Sequence, residues 1–404
     1  MSSWQAAAVA HEQRITALAA SSSEDRSDSC SGSSSGSSSG SHHGSAAATM
    51  LASCDASGRL LVWSGAGLQH AAAVPAAAVG GAAALAWLHL AAPGTAGTAG
   101  EHAGLHWLAV GSGSLLQCYA VESKRAVAVT TAALPAGCSA VKSLHAVAGA
   151  AGTAMLLAVC SSSAGRGSVL CVWHYAAGSG AASPGGLQLQ LAGTAPVPAA
   201  SAVTTAAPAG PQQLLVGTAD GQVLLLGVAA SGGDVQLQQA AGLQEQGPVS
   251  AVAADEHCLH LAAAGPAGVS VWSAAADGSA ADADPSWHYG RAASVDLPAG
   301  SGAAAALAWL RHSVAPCLVV ATSAGSLLLL STVRDGRDSS SSWRWVAQLP
   351  SVVGSNAGGV THLAAGSSCS SVVAAAGNQL LRLSEAVLPS ADADGQRGSL
   401  LLGR

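Results

Sequence analysis

Two adjacent histidines, His42 and His43, are the first residues along the chain that could bind a metal ion. They lie in a run of Ser and Gly with no carboxylate or cysteine arranged around them, whereas a structural zinc site usually has four ligands. Residues 282–285 (DADP) and 392–395 (DADG) resemble the start of a calcium loop, but the second segment has no glutamate at the distance that an EF-hand requires. We therefore predict no metal site, and we interpret these segments as solvated linker and acidic loops.

The nine cysteines are spread singly along the chain, and no Cys-x-x-Cys pair occurs. Several lie inside apolar runs, where cysteine behaves as a small hydrophobic residue. We expect reduced thiols rather than a disulfide framework.

No catalytic motif stands out. The sequence has no Walker-type phosphate loop and no nucleophile elbow between a strand and a helix. Nothing selects a pair of carboxylates for acid–base hydrolysis. We predict no catalytic residue and no cofactor, and the alternative is a hydrolase with carboxylates at the mouth of a channel.

Aromatic and histidine side chains form the best candidates for a recognition surface. One group falls in the sequence SWHYG, and the other in WRW, whose alternation places both rings on one face of a strand. Large aromatic residues often dominate binding energy at interfaces. Packing at the edge of a sheet explains the same patterns, so both interpretations stay open. The candidate partner-binding residues are Trp287, His288, Tyr289, Trp343 and Trp345.

Composition excludes several classes of partner and location. The chain of 404 residues has a net charge of −6 and only 9% charged residues, so no basic patch is available to displace phosphate counterions and we predict no nucleic-acid partner. The N-terminus lacks the features of a signal peptide. Residues 317–333 approach the length of a membrane span, but Ser-Ala-Gly-Ser interrupts them, and two strands with a tight turn explain them better. We predict a cytoplasmic protein with no integral membrane span.

Short strands rich in Val, Leu and Ala, separated by Gly and Ser turns, dominate the sequence outside residues 21–48. Residues 21–48 are a low-complexity Ser/Gly segment that cannot bury a core, and we predict a flexible insert in the first repeat.

A unit of four strands recurs seven times. Spacings between units of about fifty to seventy residues exceed a bare blade of roughly 40–45 residues, as expected where loops are inserted. We predict an all-β fold, a seven-bladed β-propeller with four antiparallel strands per blade, as a single domain over residues 11–404. Two segments are candidates for the outer strand of the seventh unit: SLLLGR at the C-terminal end and WQAAAVA near the N-terminal end.

The repeat resembles the WD-repeat propeller family. HEQRITALAA is similar to that family's histidine followed by a first strand, and GRLLVW, GSVLCVW and GVSVW are similar to its third strand. TADGQVLLLG carries the Asp-Gly turn. The resemblance implies structural positions within the blades for His11, Ser53, Trp63, Trp173, Asp220 and Trp272.

In that family a buried His, a Ser or Thr, the turn Asp and the Trp form one hydrogen-bonded network within a blade. In the first unit Ser57 occupies the usual Asp position, with Asp55 two residues earlier. In the fourth unit Asp220 is in place, but Leu226 stands where the Trp would be. No unit clearly has all four residues, so we expect the network to be incomplete throughout.

Residues 85–121 and 372–383 also resemble propeller segments of RAVE- or rabconnectin-type regulators of V-type proton ATPase assembly. This resemblance implies other proteins as partners, with the V-ATPase or its assembly factors among them, and a location peripheral to an endomembrane. We predict a non-catalytic protein-interaction scaffold of a multiprotein complex.

Overall fold

The computed structural model describes residues 5–9, 11–21, 50–64, 68–74, 84–89, 106–122, 125–148, 153–165, 167–177, 186–231, 233–255, 257–274, 288–310, 316–334, 341–349, 359–365 and 371–384. Within these residues there are 28 β-strands and no helix. The strands form seven antiparallel sheets of four strands each. The first strands of successive sheets contact one another in a closed circle, so the sheets are the blades of a propeller. The predicted seven-bladed fold is confirmed.

The four strands of each blade run in order from the innermost to the outermost. Blade 1 consists of β2 (Ile15–Ala20), β3 (Met50–Asp55), β4 (Leu60–Ser64) and β5 (Gln69–Val74). Blade 2 consists of β6 (Ala84–Leu88), β7 (His106–Ser112), β8 (Leu115–Glu122) and β9 (Arg125–Ala133). Blade 3 consists of β10 (Cys138–Ala148), β11 (Ala154–Ser162), β12 (Ser168–Ala177) and β13 (Leu187–Pro196). Blade 4 consists of β14 (Val203–Pro208), β15 (Gln213–Thr218), β16 (Gln222–Ser231) and β17 (Asp234–Gln244).

The remaining blades follow the same order. Blade 5 consists of β18 (Ala251–Ala254), β19 (His260–Ala264), β20 (Gly268–Ala274) and β21 (Tyr289–Asp296). Blade 6 consists of β22 (Ala304–Leu310), β23 (Cys317–Thr322), β24 (Leu327–Arg334) and β25 (Ser341–Leu349). Blade 7 consists of β26 (Val360–Ala365), β27 (Ser371–Ala376), β28 (Gln379–Ser384) and β1 (Gln5–Val9).

The outer strand of blade 7 comes from the start of the chain. β1 pairs antiparallel with β28, with Gln5 opposite Arg382. Of the two candidate outer strands, the WQAAAVA segment therefore supplies this one, and Gln5–Val9 belong to the ring although they precede the predicted domain boundary at residue 11. The SLLLGR segment lies outside the described residues. So does the predicted insert at 21–48, apart from Ser21.

Apolar packing is concentrated between blades. In the described residues, seven clusters of buried side chains each join two neighbouring blades around the ring. Some contacts leave no room for any side chain: a Cβ on Gly217 of blade 4 would lie 2.4 Å from Val249, which precedes blade 5. A Cβ on Gly111 would likewise lie 2.6 Å from Val141 of blade 3. Small residues thus let the blades approach closely, which explains the many Ala and Gly in a chain with no Phe.

The two faces of the ring differ in their connections. We call the face that carries the connections between second and third strands, and between blades, the turn face. The opposite face, which carries the connections between first and second and between third and fourth strands, is the insert face. On the turn face every connection between second and third strands has five residues or fewer. The three longest connections of the ring, 21–49, 89–105 and 275–288, all belong to the insert face.

Candidate functional site

Blade 1 contains a buried chain of polar side chains. His11 lies in the connection before β2, Ser53 and Asp55 lie on β3, and Trp63 lies on β4. His11 Nε2 is 2.8 Å from Ser53 Oγ, and His11 Nδ1 is 3.1 Å from Asp55 Oδ2. Trp63 Nε1 donates to Ser53 Oγ at 2.9 Å. All four side chains are buried.

One protonation pattern satisfies every member of this chain. The Trp63 indole N–H donates to Ser53, so the Ser53 hydroxyl hydrogen is free to donate to Nε2 of His11. The hydrogen of His11 then lies on Nδ1 and is donated to the Asp55 carboxylate. Burial lowers the pKa of His11, and this effect outweighs the raising effect of Asp55. His11 is therefore neutral near pH 7, in the tautomer that the network requires.

Asp55 also closes the turn between β3 and β4. Its Oδ1 accepts hydrogen bonds from the Ser57 amide at 2.9 Å, the Ser57 hydroxyl at 2.6 Å and the Arg59 amide at 3.0 Å. Burial raises the pKa of Asp55, but the hydrogen bonds from Ser57, Arg59 and His11 together lower it below its ordinary value. The carboxylate is ionised and fully engaged at neutral pH.

The expectation that the network is incomplete in every blade was wrong for blade 1. Ser57 occupies the family's Asp position by sequence, but Asp55 supplies the carboxylate from the end of β3, and Ser57 hydrogen-bonds to it. Compared with the family pattern, the carboxylate lies two residues earlier, at Asp55, and a hydroxyl stands at the usual Asp position, at Ser57. This exchange works because both side chains converge on the same tight turn.

Blade 4 builds the corresponding turn differently. Thr218 ends β15, where Asp55 ends β3, and its hydroxyl hydrogen-bonds to Oδ1 of Asp220. Ser201, from the connection before β14, donates to the same oxygen at 2.6 Å. Asp220 is exposed, and these hydrogen bonds lower its pKa. Leu226 is buried on β16, as the sequence indicates, so no indole joins this turn.

The other two predicted structural tryptophans are buried without the serine of blade 1. Trp173 pairs with Leu156 and Trp272 pairs with Leu261, as Trp63 pairs with Leu51. Two residues further along, Ala158 and Ala263 stand where Ser53 stands in blade 1. These tryptophans therefore occupy the family's strand position as apolar fillers between blades.

Comparison with known proteins agrees with this architecture. No protein-family model and no curated protein sequence matches the chain. The crystal structure of the RRP9 WD40 repeats is similar with a TM-score of 0.54 at 15% identity, over 94% of this chain and 99% of that one. The Cps50 (Swd1) β-propeller domain of Myceliophteria thermophila is similar with a TM-score of 0.53 at 10% identity, over 83% of this chain and 92% of that one.

The fold is that of a WD40 β-propeller. At this level of identity the similarity concerns the arrangement of the blades alone.

The insert face of the WD40 ring carries one group of predicted partner-binding residues, at blade 5. His288 is exposed, and Tyr289 is half-buried with its hydroxyl donating to the Cys258 carbonyl at 2.7 Å. This bond joins the start of β21 to the loop between β18 and β19. The neighbouring Leu259 is 44% exposed. Trp287 lies outside the described residues.

The second predicted group lies at the junction of blades 5 and 6. Trp343 of β25 packs edge-on against Trp309 of β22 and His260 of β19, with ring centroids 5.8 and 5.7 Å apart. The Asp255 carboxylate holds Nδ1 of His260 at 3.0 Å. Trp345 donates its indole N–H to the Asp296 carbonyl of blade 5 at 2.9 Å. Both predicted tryptophans are half-buried and pack between blades, with Trp343 nearer the insert-face end of the strand.

The apolar segment at residues 317–333 lies within two adjacent strands of blade 6, β23 and β24, as predicted. No helix in the described residues is long and apolar enough to cross a membrane.

Sequence reasoning missed one group of side chains. Cys138, Cys160 and Cys171 lie on three successive strands of blade 3, and their sulfur atoms are all within 4.8 Å of one another. Hydrogen bonds, first from the Cys171 thiol and then from Cys138, lower the pKa of Cys160 against the effect of burial. In the described part of the chain, Cys118, Cys138, Cys160, Cys171, Cys258 and Cys317 are free thiols.

Proposed function

We propose that this chain is a non-catalytic scaffold that binds other proteins through the insert face of its propeller. The observation that carries the proposal is the difference between the faces. The turn face is built mainly from short turns closed by backbone hydrogen bonds, such as Gly58 N to Asp55 O at 2.9 Å. The insert face carries the longest connections on the same rigid ring, and loops held on a rigid framework are where binding surfaces concentrate.

The blade 5 corner of the insert face has the properties of a preorganised contact surface. Cys258 adopts a φ of 55° and donates its amide to the Asp255 carbonyl at 3.0 Å, which fixes the loop. The Ala274 amide donates to the Leu259 carbonyl at 2.9 Å, so the exposed Leu259 side chain is presented by an ordered backbone. A backbone that is already ordered has less conformational freedom to lose on binding. His288 and Tyr289 add polar and aromatic atoms beside it.

The hydrolase alternative gains no support from Asp55, Asp220 and Asp255, whose hydrogen bonds the structure describes. Asp55 and Asp220 hold turns, and Asp255 holds His260, each within its own blade. These carboxylates are engaged in structure rather than paired with one another for acid–base chemistry.

The finer predictions remain part of the proposal. A role in V-ATPase assembly rests on the resemblance of residues 85–121 and 372–383 to RAVE- or rabconnectin-type propellers. A cytoplasmic location, peripheral to an endomembrane through partners, rests on the same resemblance and on composition.

A pair of matched surface variants tests the scaffold proposal. Leu259 on the insert face is 44% exposed, and Leu115, next to a turn of blade 2 on the turn face, is 42% exposed. The tagged full chain, Leu259→Asp and Leu115→Asp are each used for affinity purification with mass spectrometry. We expect a set of proteins that the parent chain and Leu115→Asp retain and that Leu259→Asp loses. V-ATPase subunits in that set would support the finer prediction.

A second variant tests the largest insert. Ser21 and Met50 are joined by two hydrogen bonds, of 2.8 and 2.9 Å, at the base of the 21–49 connection. Replacing residues 22–49 with Asn-Gly therefore keeps the end of the hairpin intact.

Loss of partners in Leu115→Asp alone would place the binding site on the turn face. Recovery of no specific partner by any of these chains would contradict the scaffold proposal.

A further inference from the structure

Three thiols converge inside blade 3. The Cys138 and Cys171 sulfur atoms are 3.4 Å apart, and the Cys171 and Cys160 sulfur atoms are 3.9 Å apart. Cys160 and Cys171 are fully buried, and Cys138 is half-buried at the start of β10. The three side chains belong to the apolar cluster between blades 2 and 3. In the described part of the chain, this is the one group of His, Cys, Asp and Glu side chains with the geometry to hold a metal ion.

A disulfide would use only two of the three sulfur atoms. β10 and β12 lie on opposite sides of β11, yet the Cys138 and Cys171 sulfur atoms are 3.4 Å apart, so all three thiols point to one place in the blade. A bond between Cys160 and Cys171 would leave Cys138 without a role.

The geometry suits a shared metal ion. At a metal–sulfur distance of about 2.3 Å, three sulfur atoms around one ion are about 4.0 Å apart, which lies within the range seen here. The donors are all sulfur, and soft thiolate ligands select soft ions such as Cu(I) and zinc. Structural zinc is almost always bound by four ligands, whereas this group provides three.

We propose that Cys138, Cys160 and Cys171 form a three-sulfur site for one Cu(I) ion. The number of ligands favours Cu(I), because structural zinc would need a fourth ligand that this group does not provide. The half-buried Cys138 gives the ion a path from the surface. Each thiol that becomes a thiolate ligand releases one proton, and copper enters and remains as Cu(I), so no oxidant or reductant is consumed. The site is independent of the proposed protein-binding face.

The test uses the purified full chain, reduced and kept without oxygen. Cu(I) is added as its acetonitrile complex in competition with the chromophoric chelator bicinchoninate. We expect one tightly bound Cu(I) per chain, and X-ray absorption that shows three sulfur neighbours and no nitrogen. Loss of a second-shell contact alone typically weakens metal binding 10- to 100-fold, so Cys160→Ala, which removes a ligand, should weaken it by roughly 100-fold or more.

Two further variants keep the test decisive. Cys118→Ala changes a thiol that is buried in the same apolar cluster but lies outside the group of three, and we expect unchanged Cu(I) binding. Cys138→Ala removes a ligand at the half-buried start of β10, where the lost side chain leaves only a small cavity. This variant should therefore fold and bind Cu(I) more weakly, even if Cys160→Ala fails to fold. Three results would overturn the proposal: no binding of one ion per chain, equal losses in Cys118→Ala and the ligand variants, or one Zn(II) bound per chain in preference to Cu(I).

Discussion

Blades 1 and 4 both use a carboxylate to hold the turn between their second and third strands, but they place it at different depths. In blade 1 the carboxylate is Asp55 at the buried end of β3, and the turn residue is Ser57. In blade 4 the order is reversed: Thr218 is buried at the end of β15, and Asp220 is exposed in the turn.

The difference in depth explains the difference in partners. A buried ion must be compensated by hydrogen bonds and opposite partial charges. Asp55 accepts four hydrogen bonds, and one of them comes from His11, which continues the network to Ser53 and Trp63. Asp220 is exposed to solvent and needs less compensation, and its side chain accepts hydrogen bonds from the hydroxyls of Thr218 and Ser201. Leu226 fills the strand position of the tryptophan. One type of turn thus serves as an interior polar network in blade 1 and as a surface feature in blade 4.

The largest effect is expected from removing the buried carboxylate. Asp55→Ala leaves His11 and the β3–β4 turn without their acceptor, and it should lower the free energy of unfolding by about 3 to 5 kcal/mol. Urea unfolding followed by tryptophan fluorescence measures the loss. The equivalent change in blade 4, Thr218→Val, removes one hydroxyl and should cost about 1 kcal/mol.

A double exchange sharpens this result. Asp55→Thr with Ser57→Asp gives blade 1 the residue order of blade 4 and should recover part of the stability lost in Asp55→Ala. Equal urea midpoints for Asp55→Ala and Thr218→Val would refute the view that depth distinguishes the two turns.

The next effect concerns the indole of blade 1. Trp63→Phe keeps most of the ring but removes the hydrogen bond to Ser53, so it should cost about 1 kcal/mol more than Trp173→Phe. Trp173 is the control because Ala158 stands in the serine position beside it. Thermal unfolding of the two variants, compared with the parent, gives the difference. Equal losses would mean that the Ser53 hydrogen bond adds nothing.

The two blades should also differ in their response to acid. The pKa of His11 is lowered in the folded state, so the unfolded chain takes up a proton first as pH falls below about 6.5. Its stabilising contribution is therefore complete above that pH and is lost progressively below it. His145, whose pKa burial lowers to about 4, adds to the same slope.

His11→Gln should consequently reduce the fall of the urea midpoint between pH 7.5 and 5.5 (about one unit on either side of the ordinary pKa). Ser201→Ala, which changes the corresponding connection of blade 4, should leave that fall unchanged. A parallel reduction in both variants would show that the pH dependence does not come from His11.

The smallest effect is expected at the surface of blade 1. Arg59 forms an ion pair with Glu12 at 3.3 Å, with side chains that are 43% and 88% exposed. Exposed pairs of this kind contribute little, and Arg59→Ala should change the free energy of unfolding by no more than about 0.5 kcal/mol. The backbone amide of residue 59, which binds Asp55, is kept. A loss comparable to that of Trp63→Phe would show that the ion pair supports the buried network.

The sequence was sufficient to predict the seven blades because alternating apolar residues and Gly turns are local signals. The sequence did not decide between the two candidate outer strands of blade 7, since β1 and β28 are separated by nearly the whole chain. The network was underestimated for a different reason. The family pattern assigns roles by spacing, and Asp55 performs the role of a residue two positions later.

The thiols of blade 3 show a further limit. Cys138, Cys160 and Cys171 look scattered in the sequence because their proximity depends on strand register. β10 and β11 are paired with irregularities on both sides of Val141, and these shifts decide which cysteine faces which. The sequence does show one cysteine on each of three consecutive strands. The distances between these cysteines, however, follow only from the register in which the strands pair. The tryptophans of β25 were ambiguous in the same way, because alternation alone does not say whether a face meets a partner or the next blade.

The pairing of β1 with β28 sets a condition on biosynthesis. A ribosome releases Gln5–Val9 before all of the other strands described here, and their partner strand Gln379–Ser384 emerges only after the other six blades have been translated. Until then the exposed edge of the leading segment is open to pairing with other nascent chains. Completion of the ring is therefore a late, long-range step, and a nascent chain halted before residue 379 would keep an unmatched end.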